Sequence, residues 1–488
     1  MEMSLIQHLL PHTTTSQSHK TSKEEFVSNL HGSSILEIVA LSAVIPAFVL
    51  LRQVAAHIYE TVSEDKRADS SNCAEELKSQ EGNYVGELTA DFILVVLPTL
   101  GCLTVFSEHV YGITVYTYLM LLTAIVYLNW QQPLTSYVQS NALASTYQTS
   151  CLSCYRFVMM LVTCVTILAV DFNVFPRRFA KAETYGTGMM DLGVGSFVVA
   201  NALVSRQARN LAPRKHGGVV RNVSPHLILG FMRLALTKGV DYQVHVGEYG
   251  VHWNFYFTLA AVSLLTSLIH IPTYYCGLLG VVVLTVYQAL LLFGWNKYLL
   301  SSDRGPGLVS LNKEGFFSIF GYWGLHLLSV QFGQYLCFTT GRFLKKFFPN
   351  LEKGAASQKW WAAVEILLLD IILWMLGILF HQFVENVSRR MCNVAYVMFV
   401  LAQNFQVIGL FSLADLVTKR KLLLQEVFDK NLLLTFLLAN VLTGLVNLSM
   451  NTVNAPVPVS LLVLLLYMAI LVLATSSLKA LNLRLKFW

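Results

Sequence analysis

The chain has 488 residues, of which 55% are hydrophobic and 13% are charged, and its formal net charge at pH 7 is +6. Soluble domains carry about 25% charged residues, so this composition excludes a soluble globular protein and indicates a polytopic membrane protein. The Lys and Arg residues cluster between apolar runs, which is a sign of membrane topology, so nucleic acid is not expected as a partner.

The chain begins with a polar tail, residues 1–32, which lacks the apolar run of a signal peptide. We expect residues 33–477 to form a single multi-span membrane domain that contains a polar loop at residues 53–87. A basic tail, residues 478–488, completes the chain.

Apolar segments of helical length recur along the domain, and the sequence predicts an all-α polytopic membrane protein with about 13 transmembrane helices. In chain order they are 33–51, 89–107, 111–129, 155–172, 188–205, 225–237, 253–271, 275–293, 316–338, 361–383, 392–416, 431–450 and 458–477. The segment 225–237 is short and contains Arg233, so a tilted, broken or re-entrant helix is an alternative to a full crossing.

The basic residues of alternate loops predict the orientation of the chain. The richer set of loops, which we expect to be cytoplasmic, contains Arg206, Arg209, Arg214, Lys215, Arg221, Arg342, Lys345, Lys346, Lys353, Lys359, Lys419, Arg420, Lys421, Lys479, Arg484 and Lys486. The C-terminus is then cytoplasmic and the N-terminus lies on the opposite side. The loops 171–181 and 239–254 share that opposite side, where they can form one site.

A short loop after the fourth predicted helix carries an acid and a base ten residues apart, Asp171 and Lys181. In one interpretation, Asp171 takes a proton from a hydroxyl nucleophile and Lys181 holds an anionic group or a developing oxyanion. In the other, the two residues form an interfacial ion pair that closes a helix end. Arg177 and Arg178 either bind a phosphate or extend to lipid headgroups.

The next helix begins in a glycine-rich stretch that contains Asp191, and Glu183 precedes it in the same loop. The stretch has no Gly-Lys-Ser/Thr and follows no strand, so it is not a nucleotide-binding P-loop. Asp191 is either a hydrogen-bonded structural acid or a substrate contact. Glu183 is a further candidate for substrate binding.

The densest polar segment is residues 241–254. Its candidate binding residues are Asp241, His245, Glu248, His252, Trp253 and Asn254. A metal site is not expected, because H-E-x-x-H is absent and two glycines weaken the helix that a ligand set would need. A hydrogen-bonding wall for a polyol or sugar is favoured. Lys313, in Asn312-Lys-Glu-Gly, either extends this wall or belongs to a helix cap.

The loop after the fourth predicted helix, together with the glycine-rich stretch that follows it, resembles the signature of a known family. Residues 169–197 read Ala-Val-Asp-Phe-Asn-Val-Phe-Pro-Arg-Arg-Phe-Ala-Lys-Ala-Glu-Thr-Tyr-Gly-Thr-Gly-Met-Met-Asp-Leu-Gly-Val-Gly-Ser-Phe. This block is similar to the glycosylphosphatidylinositol (GPI) inositol acyltransferases, the PIG-W family. Further blocks in the family's order are Asp241–Phe255, Asn312–Gly315, Ser388–Tyr396 and Leu438–Asn447.

The resemblance implies a multi-span enzyme of the endoplasmic reticulum membrane whose shared blocks lie mostly toward the lumen. With the orientation predicted from the basic loops, the N-terminus is lumenal and the C-terminus cytoplasmic, and we expect the helices to enclose a lipid and acyl-CoA cavity. Such an enzyme transfers a fatty acyl chain, typically palmitoyl, from acyl-CoA to the 2-hydroxyl of inositol in glucosaminyl-phosphatidylinositol. Its partners are these two substrates and membrane lipids, with no permanently bound cofactor.

In the block of residues 169–197, the family's catalytic acid and amine correspond to Asp171, as general base, and Lys181, as an orienting or oxyanion-stabilising group. Arg177, Arg178 and Lys313 are candidates for lipid or coenzyme phosphates. No serine or cysteine stands beside a base, so we expect direct transfer without an acyl-enzyme. A polytopic lipid transporter or flippase is the alternative of a different class, and a structural subunit of a biosynthetic complex is another.

Overall fold

The computed structural model describes residues 30–67, 76–131, 144–211, 218–237, 246–269, 271–340, 355–418 and 420–482. These residues are almost entirely helical, and no strand is named among them. The predicted all-α membrane class is therefore confirmed.

The helices in the first half of the chain are α1 (Ile35–Arg67), α2 (Glu76–Asp91, a π turn Phe92–Val96, then Leu97–Leu103), α3 (Val110–Gln131), α4 (Ala144–Ala169), α5 (Met189–Leu203) and α6 (Gly218–Thr237). The next are the short α7 (Val246–Tyr249), α8 (Phe255–Leu268) and α9 (Thr273–Leu290, a π turn Leu291–Trp295, then Asn296–Leu300).

The second half contains the short α10 (Leu308–Leu311), α11 (Lys313–Phe338), α12 (Ala355–Phe383), α13 (Val394–Val417), α14 (Leu423–Lys430), α15 (Leu432–Ser449) and α16 (Val457–Ala480). Each of the 13 predicted segments coincides with one of these helices. In the described part of the chain, nine helices are long and apolar enough to cross a membrane, so the count of 13 stays a prediction.

The segment 225–237 is the second part of α6, a 20-residue helix with Pro225 inside it. This helix packs against α8, where the Phe231 and Phe257 rings meet edge to face with centroids 5.1 Å apart. The side chain of Asn254 also donates to the carbonyl of Gly230 across the same contact, at 3.0 Å.

Residues 53–87, predicted to be a polar loop, are largely helical. Helix α1 continues to Arg67 and α2 begins at Glu76. The continuation of α1 contains no glycine or proline, so nothing in its sequence ends the helix where the apolar run ends. An ion pair between Arg52 and Asp91, at 2.9 Å, ties the two helices together.

Helix α13 lies at the centre of the bundle and packs against α1, α4, α5 and α12. Almost all of its side chains are buried. Asn393 starts this helix, since its side-chain oxygen accepts from the backbone N–H of Tyr396 at 3.1 Å. The hydroxyl of Tyr396 donates to the carbonyl of Asp191 at 2.7 Å, so α13 and α5 begin at the same end of the bundle, where α4 ends and the functional loops lie.

Candidate active site

The loop between α4 and α5 is held in place by buried aromatic side chains. Phe172, Phe175 and Phe179 are all 0% exposed. The rings of Phe175 and Phe179 pack edge to face with centroids 6.0 Å apart. A loop anchored by three buried rings keeps its polar residues in a fixed position relative to the helices.

The two arginines of this loop both bind protein groups. The Nη2 atom of Arg177 donates to the carbonyls of Val170, at 2.8 Å, and Phe172, at 3.2 Å, which satisfies acceptors at the end of α4. Burial lowers the pKa of Arg177 to about 10, and the nearby charge of Asp171 opposes that change. Arg178 pairs with Glu37 at 2.8 Å and Glu108 at 2.7 Å. Their predicted role in phosphate binding stays a prediction.

Asp171 lies just beyond the last turn of α4, partly exposed. The side-chain amide of Asn447, near the end of α15, donates to Asp171 Oδ2 at 2.7 Å. The oxygen of the same amide, Asn447 Oδ1, accepts a hydrogen bond from the hydroxyl of Thr452 at 3.3 Å. The amide is thereby oriented, and it fixes one carboxylate oxygen of Asp171.

Lys181 contacts the second polar loop. Its Nζ atom lies 3.0 Å from Glu248 Oε1, on the short helix α7. The two loops predicted to share a face therefore do meet. Burial alone would raise the pKa of Glu248, but Lys181 and then Arg389 outweigh it and lower that pKa to about 2. Lys181 and Glu248 stay partly exposed, with 32% and 22% of their side chains accessible.

A buried ion pair continues from Glu248 into the protein. Arg389 Nη2 lies 3.6 Å from Glu248 Oε1, and Arg389 Nε lies 2.6 Å from Asp191 Oδ1. The second oxygen of Asp191 accepts from the backbone N–H groups of Ala182, at 2.8 Å, and Gly188, at 2.7 Å. Asp191 is completely buried, and these contacts are those of a hydrogen-bonded structural acid. We call Lys181, Glu248, Arg389 and Asp191 the charge chain.

The ammonium group of Lys313 is enclosed by backbone. It donates to the carbonyls of Tyr298, at 2.7 Å, and Ser301, at 2.9 Å, and to that of Asp303 at 3.0 Å. The side chain is fully buried. Lys313 thus secures the loop after α9, and its N–H groups point away from any open surface.

The remaining residues of the 241–254 block mostly position helices. Asn254 caps α8, accepting from the N–H groups of Tyr256, at 3.0 Å, and Phe257, at 3.4 Å. Trp253 donates to the Thr258 hydroxyl at 2.9 Å. Asp241 and His245 lie outside the described residues.

His252 and Glu183 are the exposed members of the predicted set. The backbone N–H of His252 donates to Asn312 Oδ1 at 2.7 Å, so the 241–254 block contacts the start of α11, and a wall for a polyol or sugar stays a prediction. The backbone N–H of Glu183 donates to the carbonyl of Leu30 at 3.0 Å. Both imidazole and carboxylate are accessible at the loop end of the bundle.

A small apolar cavity of about 40 Å³ lies between α1, α4, α5 and α13. Along α4 the cavity extends from Tyr155 to Thr163, and along α5 from Ser196 to Met189, the first residue after the loop end Gly188. On α5 the lining therefore begins directly after the loop that carries Asp171 and Lys181, whereas on α4 it ends at Thr163, eight residues before Asp171.

Two residues that organise the site were not among the sequence predictions, Asn447 and Arg389. Both lie in blocks that carried the family resemblance, Leu438–Asn447 and Ser388–Tyr396. Their position in these blocks was the available signal. An asparagine near a helix end and an arginine in a loop are both common, so residue type alone did not mark Asn447 and Arg389 as site residues.

Comparison with known proteins gives a consistent result. The family model described as GWT1 matches residues 19–478. An uncharacterized protein of Arabidopsis thaliana is 47% identical over 407 residues, which is 83% of this chain and 90% of that protein. The "GPI-anchored wall transfer protein 1" of Aspergillus oryzae is 34% identical over 96% of this chain and 99% of its own. The "Glucosaminyl-phosphatidylinositol-acyltransferase PIGW" of Bos taurus is 31% identical over 96% and 100%.

Proposed function

Since the chain belongs to the GWT1 family, we propose that it is the acyltransferase of GPI-anchor biosynthesis that moves a palmitoyl chain from acyl-CoA to the inositol 2-hydroxyl of glucosaminyl-phosphatidylinositol. The Bos taurus relative, whose name states the acyl acceptor, matches almost the whole chain. The single structural observation that carries the proposal is the meeting of Lys181 with Glu248 of the second polar loop, in the same loop that carries Asp171.

In the proposed reaction, Asp171 is the general base. The 2-hydroxyl of inositol is a weak nucleophile until a base takes its proton. Asn447 donates to Oδ2 of Asp171 at 2.7 Å, which orients the carboxylate that takes the proton. The alkoxide oxygen then attacks the thioester carbonyl carbon, and a tetrahedral intermediate forms.

Lys181 stabilises the negative charge that develops on the thioester oxygen. An ammonium group has three donors, and Glu248 engages the group from one side only, at 3.0 and 3.2 Å. Placing a positive charge where an oxyanion forms lowers the barrier to acyl transfer. As the C–S bond breaks, the CoA thiolate leaves and receives the proton that Asp171 holds. This balance returns Asp171 to its carboxylate form without an acyl-enzyme.

Part of the acyl chain of the donor enters the cavity between α1, α4, α5 and α13, whose lining is mostly apolar. The pattern of basic loops favours a cytoplasmic position for the opposite end of the bundle, on the side where acyl-CoA is made, and a lumenal position for the Asp171 loop. A cavity inside the bundle gives the thioester a position between these two sides.

The proposal is tested in microsomes that lack the endogenous enzyme and carry wild type or Asp171→Asn, with labelled palmitoyl-CoA and glucosaminyl-phosphatidylinositol. We expect Asp171→Asn to lower the rate of acyl transfer at least ~100-fold, because a general base typically contributes 10²–10⁴-fold. Asp303→Asn is the matched control, since it makes the same change on an exposed side chain of a neighbouring loop.

Near-normal activity of Asp171→Asn would show that the base is another residue, with His252 and Glu248 the next to test. A wild-type chain that makes no acyl-inositol product would overturn the enzyme proposal and favour a lipid transporter.

A further inference from the structure

Glu385, in the loop between α12 and α13, is a carboxylate surrounded by neutral hydrogen-bond donors. Its Oε2 atom accepts from the side-chain amides of Gln288, at 2.8 Å, and Asn393, at 3.2 Å. Its Oε1 atom accepts from the amide of Asn296 at 3.1 Å and from the hydroxyl of Tyr185 at 3.3 Å. These five residues come from α9, the Lys181 loop and the loop before α13. We call them the Glu385 cluster.

The negative charge of Glu385 has no cationic partner in the part of the chain that the structure describes. The two arginines nearest to it in the sequence pair with other acids, Arg389 with Asp191 at 2.6 Å and Arg390 with Glu314 at 2.8 Å. Neutral donors leave the net charge of a carboxylate uncompensated, and a partly desolvated carboxylate attracts a positive charge more strongly than one in water. The cluster is therefore suited to a ligand that carries a positive charge.

The carboxylate has a buried side and an accessible side. The two donors to Oε2, Gln288 and Asn393, are 6% and 0% exposed. The two donors to Oε1, Tyr185 and Asn296, are half-buried, as is Glu385 itself. Oε2 therefore anchors the residue in the fold, whereas Oε1 lies on the side that a ligand can reach.

The backbone that places Asn296 beside Glu385 is irregular. It follows the π turn of α9, in which Gly294 has a φ of +115°. Such π turns inside helices are frequent at functional sites. Trp295 is half-buried and packs edge to face on Phe317, with ring centroids 4.8 Å apart. An indole ring next to amide and carboxylate groups gives the mixed apolar and polar surface that suits a sugar ring.

The Glu385 cluster adjoins the proposed reaction centre. Tyr185 follows Lys181 by four residues, so their Cα atoms are at most about 14 Å apart. The N–H of Gly186 donates to the carbonyl of Val387 at 2.8 Å, which holds the Lys181 loop against the loop that carries Glu385. In glucosaminyl-phosphatidylinositol, the amino sugar is attached to the inositol that receives the acyl chain. A subsite for that sugar must therefore adjoin the reacting groups.

We propose that the Glu385 cluster binds the amino sugar of the acyl acceptor, with the ammonium group of the sugar at Oε1 of Glu385. This inference rests on the proposed acyltransferase function and adds to it the residues that recognise the acceptor. A primary amine is protonated at and below neutral pH, so the sugar supplies the positive charge that the cluster lacks.

The experiment compares two synthetic acceptors, glucosaminyl- and glucosyl-phosphatidylinositol, in microsomes that lack the endogenous enzyme. The two differ only in an ammonium group against a hydroxyl group of similar size. We expect wild type to favour the amino acceptor in kcat/KM by about tenfold or more, which corresponds to ~1.4 kcal/mol. Glu385→Gln should bring this ratio close to one, because it removes the charge and keeps the shape. Both rates come from the same preparation, so a lower protein level cancels from the ratio.

Glu108→Gln is the matched control. It makes the same change on a carboxylate at the same end of the bundle, but Glu108 is 72% exposed and is already paired with Arg178 at 2.7 Å. Its ratio should equal that of wild type. If Glu385→Gln fails to accumulate, Tyr185→Phe decides in its place. It removes only the hydroxyl that orients Oε1, and it should lower the ratio about threefold.

A wild-type ratio near one would overturn the subsite and leave the acyltransferase function standing. A high ratio that Glu385→Gln leaves unchanged would overturn the role of Glu385 and assign recognition of the amine to another residue. A wild type that acylates neither acceptor would overturn the proposed function as well.

Discussion

Lys181 and Asp191 are joined through Glu248 and Arg389, so the predicted catalytic lysine is the exposed end of a chain of alternating charges. Arg389 and Asp191 are 2% and 0% exposed, and removing one partner of such a buried pair typically costs about 3–5 kcal/mol. Arg389 also connects the loop before α13 to the first turn of α5. The charge chain therefore fixes the position of the Lys181 ammonium group.

The charge chain predicts how stability depends on pH. The pKa of Glu248 is about 2, below its ordinary value of 4.5, so its ionised form stabilises the folded state. That contribution is complete above about pH 4.5 and is lost as the pH falls toward 2. We expect wild type to exceed Glu248→Gln in stability by on the order of 1–3 kcal/mol at pH 7, and by much less at pH 3.

Thermal unfolding in detergent at both pH values measures this difference. Glu108→Gln is the control, because the Glu108 side chain is 72% exposed and an exposed pair contributes little at any pH. A difference between wild type and Glu248→Gln that stays constant from pH 7 to pH 3 would contradict the stabilising role of the carboxylate.

At the scale of elements, the site is built where loops cross at one end of α4, α5 and α13. Gly186 lies in the loop between α4 and α5, and its N–H donates to the carbonyl of Val387 at 2.8 Å. Ser388 donates from its hydroxyl to the carbonyl of Thr184 at 2.6 Å. These two bonds join the Lys181 loop to the loop that carries Arg389.

Gly186→Ala tests this crossing. Gly186 has a φ of +105°, and an added Cβ atom would lie 1.9 Å from the carbonyl oxygen of His31. We expect a loss of stability of about 2 kcal/mol or more, together with lower acyl transfer, since the substitution combines backbone strain with a steric clash. The thermal midpoint in detergent and the activity of the microsomes measure the two effects.

Gly444→Ala provides the comparison, because Gly444 lies on α15 and its added Cβ atom would meet nothing within 4 Å. In a helix this change is neutral or stabilises by up to ~1 kcal/mol. Equal thermal midpoints and equal acyl-transfer activities of the two alanine variants would mean that the loop crossing does not constrain the site.

The sequence was most informative about the positions of helices and least informative about which side chains contact one another. The 13 apolar segments all became helices because hydrophobic length is a local property, visible without the fold. By contrast, Lys181 meets Glu248 across 67 residues and Asp171 meets Asn447 across 276, and no local pattern specifies such pairs. Arg177 shows the same limit, since only the fold reveals that its guanidinium binds the end of its own helix.

At the scale of the whole molecule, the crossing of the Lys181 and Arg389 loops lies at one end of the bundle and the short helix α14 lies at the other. The loop after α9 belongs to the Asp171 end, through Lys313 and the contact of Arg390 with the carbonyl of Leu299 at 3.1 Å. Helix α14 belongs to the other end, where Gln425 donates to Ser153 at the beginning of α4 at 2.7 Å. The positive-inside pattern predicts that the first end is lumenal and the second cytoplasmic.

Cysteine labelling of sealed microsomes tests this orientation. Asp303 and Glu426 are both exposed, the first after α9 and the second on α14. We expect Glu426→Cys to react with a membrane-impermeant maleimide from outside, and Asp303→Cys to react only after the membrane is opened. The labelling of wild type gives the background from the chain's own eight cysteines. Reaction of Asp303→Cys in sealed vesicles would reverse the topology.

The central position of α13 has a consequence for how the protein is made. Gln406 on α13 donates to the carbonyl of Val39 on α1 at 2.9 Å, across 367 residues of sequence. A ribosome therefore delivers α1, α4 and α5 to the membrane long before the helix against which all three pack. During that interval the polar side chains that face α13, such as Tyr155, lack their partner Asn404. Contacts between distant segments form slowly and leave intermediates exposed. The early helices must therefore wait for α13 within the bilayer, shielded by lipid, by water or by a membrane chaperone.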